Sequence, residues 1–111
     1  VNAFMIGVVI TLFANLYGVS PEYAACVCQA ESHYEVRAVG DGGRALGLWQ
    51  WHVPAWTETR LAMGLDPDPA LRADPTEATL TAMYAMGVEG RYDWWTTDCG
   101  CRELREAGDA P

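Results

Sequence analysis

The chain has 111 residues, enough for one domain with a single core. Half of them are apolar, a globular rather than a disordered composition, and the net charge is −8 with no lysine at all. No basic stripe or arginine run is present, which argues against nucleic acid as a partner, and an acidic surface has no electrostatic attraction for anionic membranes or wall polymers.

Residues 3–17 are apolar nearly all round, the pattern of a helix buried in a core. Phe4 to Leu16 is short for a membrane span, contains Gly7, Thr11 and Asn15, and lacks flanking positive charge, so an anchor is the poorer reading. The chain begins at Val1 rather than Met, which fits a processed product or an excised domain. Gly18 predicts a helix stop, and Ser20-Pro21-Glu22 predicts the next start: an N-cap serine, proline at the first helical position and an acid in the first turn. That second helix should run to about Ser32. Residues 35–52 are glycine-rich and without helical period, a loop with a short hairpin around Asp41-Gly42. Pro54 opens a third helix that ends at Met63-Gly64, and Asp66-Pro67-Asp68-Pro69 reads as a stiff linker. Asp74-Pro75-Thr76-Glu77 combines an N-cap acid, a proline and a capping-box glutamate, and predicts a helix to about Val88. An aromatic cluster, Tyr92, Trp94 and Trp95, precedes a short polar helix near 101–107. No repeat or low-complexity segment is present. The expected fold class is all-α, a single domain over 1–111 with one long glycine-rich loop.

The four cysteines fall in two pairs, Cys26-Val27-Cys28 and Cys99-Gly100-Cys101. The spacing departs from the usual Cys-x2-Cys of zinc sites, and residues two apart on a helix point about 200° apart. Three readings stand: disulfides tying the C-terminal segment to the second helix, buried free thiols, and a metal site. Disulfides fit best and would imply an oxidising, extracytoplasmic setting.

The chemistry concentrates between Glu31 and His52. Glu31 ends an apolar helix, where the partial negative charge of the helix terminus should raise its pKa. A tight turn, Gly40-Asp41-Gly42-Gly43, then carries a second acid. One carboxyl that stays protonated and one that stays ionised is the pair a glycosidase needs. Asp41 before two glycines also fits a simple turn residue. Trp49, Trp51 and Trp56 could stack on sugar faces or fill the core. His33 reads as a surface helix-end residue, and Trp94 and Trp95 as core closure.

With these residues in view the chain resembles the lysozyme-like superfamily, and within it the goose-type lysozymes and soluble lytic transglycosylases. The resemblance rests on Tyr17-Gly18-Val19-Ser20-Pro21, Glu31-Ser32, Gly40-Asp41-x-Gly43 and Gly47-Leu48-x-Gln50, and covers roughly residues 12–52. It implies a small lysozyme-like helical domain, a bacterial cell-wall glycan as substrate, Glu31 as general acid and Asp41 as the residue that positions or activates water. It also implies supporting roles near the cleft for Ser32 and Gln50. Gly47 should permit a close approach to a sugar or to the helix, and Trp49 either lines the cleft or packs beneath the loop. Two departures stand out. His52 occupies the place where goose-type enzymes usually carry another aspartate, and Tyr84-Ala85 is only a loose substitute for the Ala-Tyr-Asn motif of many transglycosylases. His52 and Tyr84 are therefore support candidates of a different kind. Neither hydrolysis nor anhydro-sugar formation needs a metal or organic cofactor. The competing readings are a lytic transglycosylase, a chitin-type glycosidase, and a non-catalytic wall-binding module of a phage tail or secretion assembly.

Overall fold

The computed structural model describes residues 2–95 and 100–109. Five helices carry the fold: α1 (Ala3–Tyr17), α2 (Pro21–Ser32), α3 (Val53–Met63), α4 (Pro75–Gly87) and α5 (Cys101–Asp109). Helix α1 packs against α4 and α2, and α2 packs against α5. The only sheet among the described residues is a two-residue hairpin, β1 (Val39–Gly40) antiparallel to β2 (Ala45–Leu46), closed by a 3-10 turn over Asp41–Gly43.

The helix ends follow from local chemistry. Gly18 and Gly64 close α1 and α3 in the left-handed conformation. Ser20 Oγ accepts the Tyr23 backbone N–H at 3.2 Å, and Asp74 Oδ1 accepts that of Glu77 at 2.9 Å. The capping box at α4 is only half formed. Glu77 does not reach back to Asp74; its carboxylate pairs with Arg60 Nη1 at 3.0 Å. Arg60 is buried, donates also to Thr81 Oγ1 and the Asp66 carbonyl, and lies over the Trp56 ring. A buried guanidinium needs a partner for its charge and its donors, and that requirement outweighs the cap.

The first helix departs from expectation. Only Ile6, Ile10 and Ala14, four residues apart, are buried, with Phe13 and Tyr17 half-buried against the core, while Phe4, Met5, Val8, Leu12 and Leu16 are exposed. A helix apolar all round carries no signal for which face is buried, so its sequence overstates its burial. No described helix is long and apolar enough to cross a membrane.

The core is dominated by indoles. Trp51 meets Trp56, Trp94 and Trp95 edge to face, with ring centroids 5.5, 6.0 and 5.1 Å away. Trp49 Nε1 donates to Thr79 Oγ1 at 3.0 Å, Trp51 Nε1 to the Ala78 carbonyl, Trp56 Nε1 to the Asp68 carbonyl and Trp95 Nε1 to the Trp49 carbonyl. The bonds of Trp49, Trp51 and Trp95 join the loop before α3 to α4 and to the segment after it, and that of Trp56 ties α3 to the linker that follows it.

Cys26 and Cys101 form a disulfide that fastens α5 to α2, with Cα atoms 5.6 Å apart. Cys28 takes no part. It is a free, fully buried thiol whose Sγ lies 3.8 Å from the Leu48 carbonyl. The helical turn explains the difference: the side chain at 26 faces α5, and the one at 28 faces the core. The expected tie between the C-terminal segment and the second helix is thus made by Cys26 and Cys101, not by Cys28, and with Cys26 bonded there the 26/28 pair offers no shared metal site. Cys99 lies outside the described residues. Burial pushes the Cys28 thiol up to about 12, with the Ser32 hydroxyl partly opposing and the Glu31 carboxylate adding to the shift.

Non-reducing peptide mapping should recover a Cys26–Cys101 crosslink, and Cys28 should resist alkylation until the protein is unfolded. Because the bridge closes a long loop, reducing it should lower unfolding stability by about 2–4 kcal/mol in a denaturant titration. A crosslink through Cys28 would contradict this geometry.

Candidate active site

A pocket of about 360 Å³ opens at the end of α2 and is lined by Glu31, Asp41, Ala45, Trp49, Gln50, His52, Trp94 and Trp95. Glu31 is half-buried on the last turn of α2. Burial raises its pKa above the ordinary glutamate value of 4.5, and no cation is paired with it among the described residues. The direction is the one expected from the helix terminus, but the dominant cause is desolvation.

The chain turns sharply just past this acid. His33 caps α2 in the left-handed conformation, and Tyr34 follows with φ 62°. His33 is exposed and its ring meets the Gln29 side chain. Tyr34 Oη donates to the Ala25 carbonyl at 3.1 Å and folds the chain back on α2. With Asp41 and Gln50, these make up the non-glycine residues of positive φ among those described, and all fall between 33 and 50. Left-handed backbone at four residues with side chains is costly, and such strain concentrates where a site dictates geometry.

Two long-range devices hold the loop. Gln50 Nε2 donates to the carbonyls of Ala38 and Gly47, both at 3.0 Å, and so spans the loop from inside. Gln50 also fills the space in front of Gly40, where any added Cβ would strike its Oε1. From outside, Arg72 Nη1 donates to the carbonyls of Arg44 and Trp51 at 3.0 and 2.9 Å. Gly47 is needed where this strand of chain meets the 3-10 turn Pro69–Ala73. Its φ is 89°, and a Cβ there would run into the Arg72 carbonyl. The close approach expected of Gly47 is thus to protein backbone, not to α2 or to an open cleft.

Asp41 stands at the mouth of the pocket, half exposed, with φ 49°. Its Oδ2 lies 3.5 Å from His52 Nε2. The simple turn reading would have its carboxylate bonded to the backbone of its own turn. No such bond is present; the local bond runs from the Arg44 N–H to the Asp41 carbonyl.

Other expected residues take different places. Ser32 is buried, and its hydroxyl donates to the Cys28 carbonyl at 3.1 Å, so it stiffens the last turn of α2 without touching the acid. Trp49 is fully buried; it backs the pocket from below. Tyr84 does not line the pocket. It faces α1, edge to face with Tyr17 at 5.7 Å, because its position on α4 points toward the α1 contact. Trp94 and Trp95, read from sequence as core closure, turn out to wall the pocket as well. Trp95 is buried and bonded to the loop, and Trp94 is half exposed under Arg91, with the guanidinium 5.0 Å from its ring. No local pattern marks them, because they reach the site from the far end of the domain.

A family model described as the transglycosylase SLT domain matches residues 10–95. No curated protein and no solved structure matches the chain. The matched span holds Glu31, the hairpin with Asp41, the Gln50 loop and the tryptophan wall, and it extends well past the region that carries the sequence resemblance. The chain therefore belongs to the transglycosylase SLT domain family, within the lysozyme-like superfamily, and is an enzyme that cleaves glycosidic bonds in peptidoglycan.

Proposed function

We propose that the pocket at the end of α2 is the catalytic centre, and that it hydrolyses the β-1,4 bond between N-acetylmuramic acid and N-acetylglucosamine. The observation that carries this reading is Glu31, an unpaired carboxyl at a helix end whose pKa is raised by burial and which shares a pocket with a more exposed acid. An acid whose proton is held more tightly because of desolvation can give it to the glycosidic oxygen as the bond breaks. The sugar left behind is oxocarbenium-like, and Asp41 can orient a water and accept its proton. The product then carries a free reducing end. Trp94 and Trp95 give the pocket an apolar aromatic wall of the kind that borders a bound pyranose. The Cys26–Cys101 disulfide supports an extracytoplasmic site of action, where the wall lies.

The family's own description favours a second route. There the 6-hydroxyl of the muramic acid attacks its own anomeric carbon, and Glu31, having given its proton to the leaving oxygen, takes the proton of that hydroxyl. The product is a 1,6-anhydro sugar. This route needs only Glu31, whereas the hydrolytic one uses the second acid in the same pocket.

Glu31→Gln should remove nearly all activity on purified cell walls, a loss on the order of 10²–10⁴-fold, because the amide has the shape but no proton to give. The fold should survive. Since the folded pKa of Glu31 lies above its unfolded value, stability is fully present at low pH and falls as pH rises from 4.5 through the folded value. Glutamine removes that penalty, so the variant should melt no lower than wild type at neutral pH. Retention of more than about a tenth of wild-type rate would rule out general acid catalysis by Glu31.

Mass spectrometry of the released fragments separates the two routes. Hydrolysis predicts free reducing termini, and Asp41→Asn should cut turnover by about 10²-fold with little change in glycan binding. Dominant 1,6-anhydro termini, with Asp41→Asn near wild type, would establish transglycosylation and leave Asp41 as a turn residue.

A further inference from the structure

We propose that His52 is a positioning residue for Asp41, a role that rests on the reading of this pocket as the catalytic centre. His52 is the N-cap of α3, a place where serine, threonine, asparagine or aspartate ordinarily accepts a backbone N–H. Its side chain makes no capping bond. Only its carbonyl serves the helix, accepting the Trp56 N–H at 3.0 Å. The ring turns instead across the pocket mouth, where Nε2 comes within 3.5 Å of Asp41 Oδ2. Helix α3 therefore gives up a side-chain cap, and what stands in its place is a nitrogen facing the second acid.

Asp41 needs such a partner. Its backbone is left-handed between Gly40 and Gly42, so neither neighbour offers a side chain to restrain it. Its carboxylate makes no hydrogen bond to its own turn, and His52 is its one polar side-chain partner among the described residues. An exposed carboxylate on a glycine turn samples several rotamers. A general base has to present one oxygen to the nucleophile in a fixed direction. With Nε2–H donating to Oδ2, the other oxygen, Oδ1, is left to accept the proton. At 3.5 Å the pair is loose, as catalytic contacts often are before substrate binds and excludes water. Both residues line the pocket that Glu31 enters, so the arrangement puts the acid on one wall and the held base on the other. The proton balance is simple: the nucleophile's O–H gives its proton to Asp41 as its oxygen bonds to the anomeric carbon, and His52 neither gains nor loses one.

Steady-state kinetics on a soluble peptidoglycan oligomer tests this with His52→Ala, His52→Gln, Asp41→Asn and the double variant His52→Ala/Asp41→Asn. Glutamine keeps an N–H donor at about the reach of Nε2. His52→Ala should lower kcat about tenfold with KM nearly unchanged, and His52→Gln should recover most of that loss. In the Asp41→Asn background, His52→Ala should change nothing further, because the carboxylate it served is gone. Wild-type kcat in His52→Ala, a loss confined to KM, or a loss that multiplies with that of Asp41→Asn would each overturn the proposal. Glu31→Gln, run in the same series, keeps the two failures apart. An inactive Glu31→Gln with an unaffected His52→Ala refutes only the role of His52, whereas an active Glu31→Gln refutes the site.

Discussion

The pocket depends on the indole contacts beneath it. The loop from Ala45 to His52 has little regular structure of its own: one two-residue strand and an isolated bridge between Leu46 and Trp51. Its position comes from Trp49 and Trp51, whose N–H groups reach Thr79 and the Ala78 carbonyl on α4, and from Trp95, whose N–H closes on the Trp49 carbonyl. Each such bond contributes about 1 kcal/mol net, and each buried edge-to-face pair about 0.5–1.5 kcal/mol beyond its area. More important than the sum is the geometry. A buried indole N–H without an acceptor is costly, so the loop has one depth and one orientation at which every indole is satisfied. That depth sets where Gln50 and His52 stand relative to Glu31.

The acid itself is controlled by a balance of two surroundings. Its helix packs through Ala24, Val27 and Cys28 into the core, which draws Glu31 partly out of water. The turn at His33 and Tyr34 then reverses the chain, and no cation is paired with the acid among the described residues. A carboxyl desolvated and left without a cation keeps its proton longer than one in water. Asp41 has the opposite surroundings: exposed, on a glycine turn, beside an imidazole nitrogen. The two carboxyls of one pocket thus stand in different surroundings, one partly withdrawn from water and one open to it. The proposed acid-assisted cleavage of a glycosidic bond would use such a contrast.

The parts of this architecture that local chemistry controls were legible in the sequence. Ser20, Pro21, Gly18, Gly64 and Asp74 each act on backbone groups within four residues, and the helix ends lie where they indicate. The hairpin at Asp41-Gly42 and the pairing of Glu31 with the glycine loop were legible for the same reason, reinforced by the family resemblance. What escaped depends on contacts across the fold. Helix α1 has no polar stripe to mark its outer face. Glu77 leaves its cap for Arg60, seventeen positions earlier, and Gly47 is required by the backbone of Arg72. Tyr84 resembles a motif residue yet packs against Tyr17, while Trp94 joins the pocket from a segment with no motif at all. Cys26 and Cys28 look equivalent in the sequence, and only the partner helix distinguishes the bonded thiol from the buried one.

The central claim is that burial, without a neighbouring cation, keeps Glu31 ready to donate a proton. Direct titration of its side-chain carboxyl by carbon-detected NMR, with selective glutamate labelling and Glu31→Gln for assignment, measures this without substrate or turnover. The account predicts a midpoint clearly above 4.5, the ordinary glutamate value. A midpoint for Glu31 at or below 4.5 would contradict it, because an acid that ionises as readily as an ordinary glutamate is not one the fold has prepared.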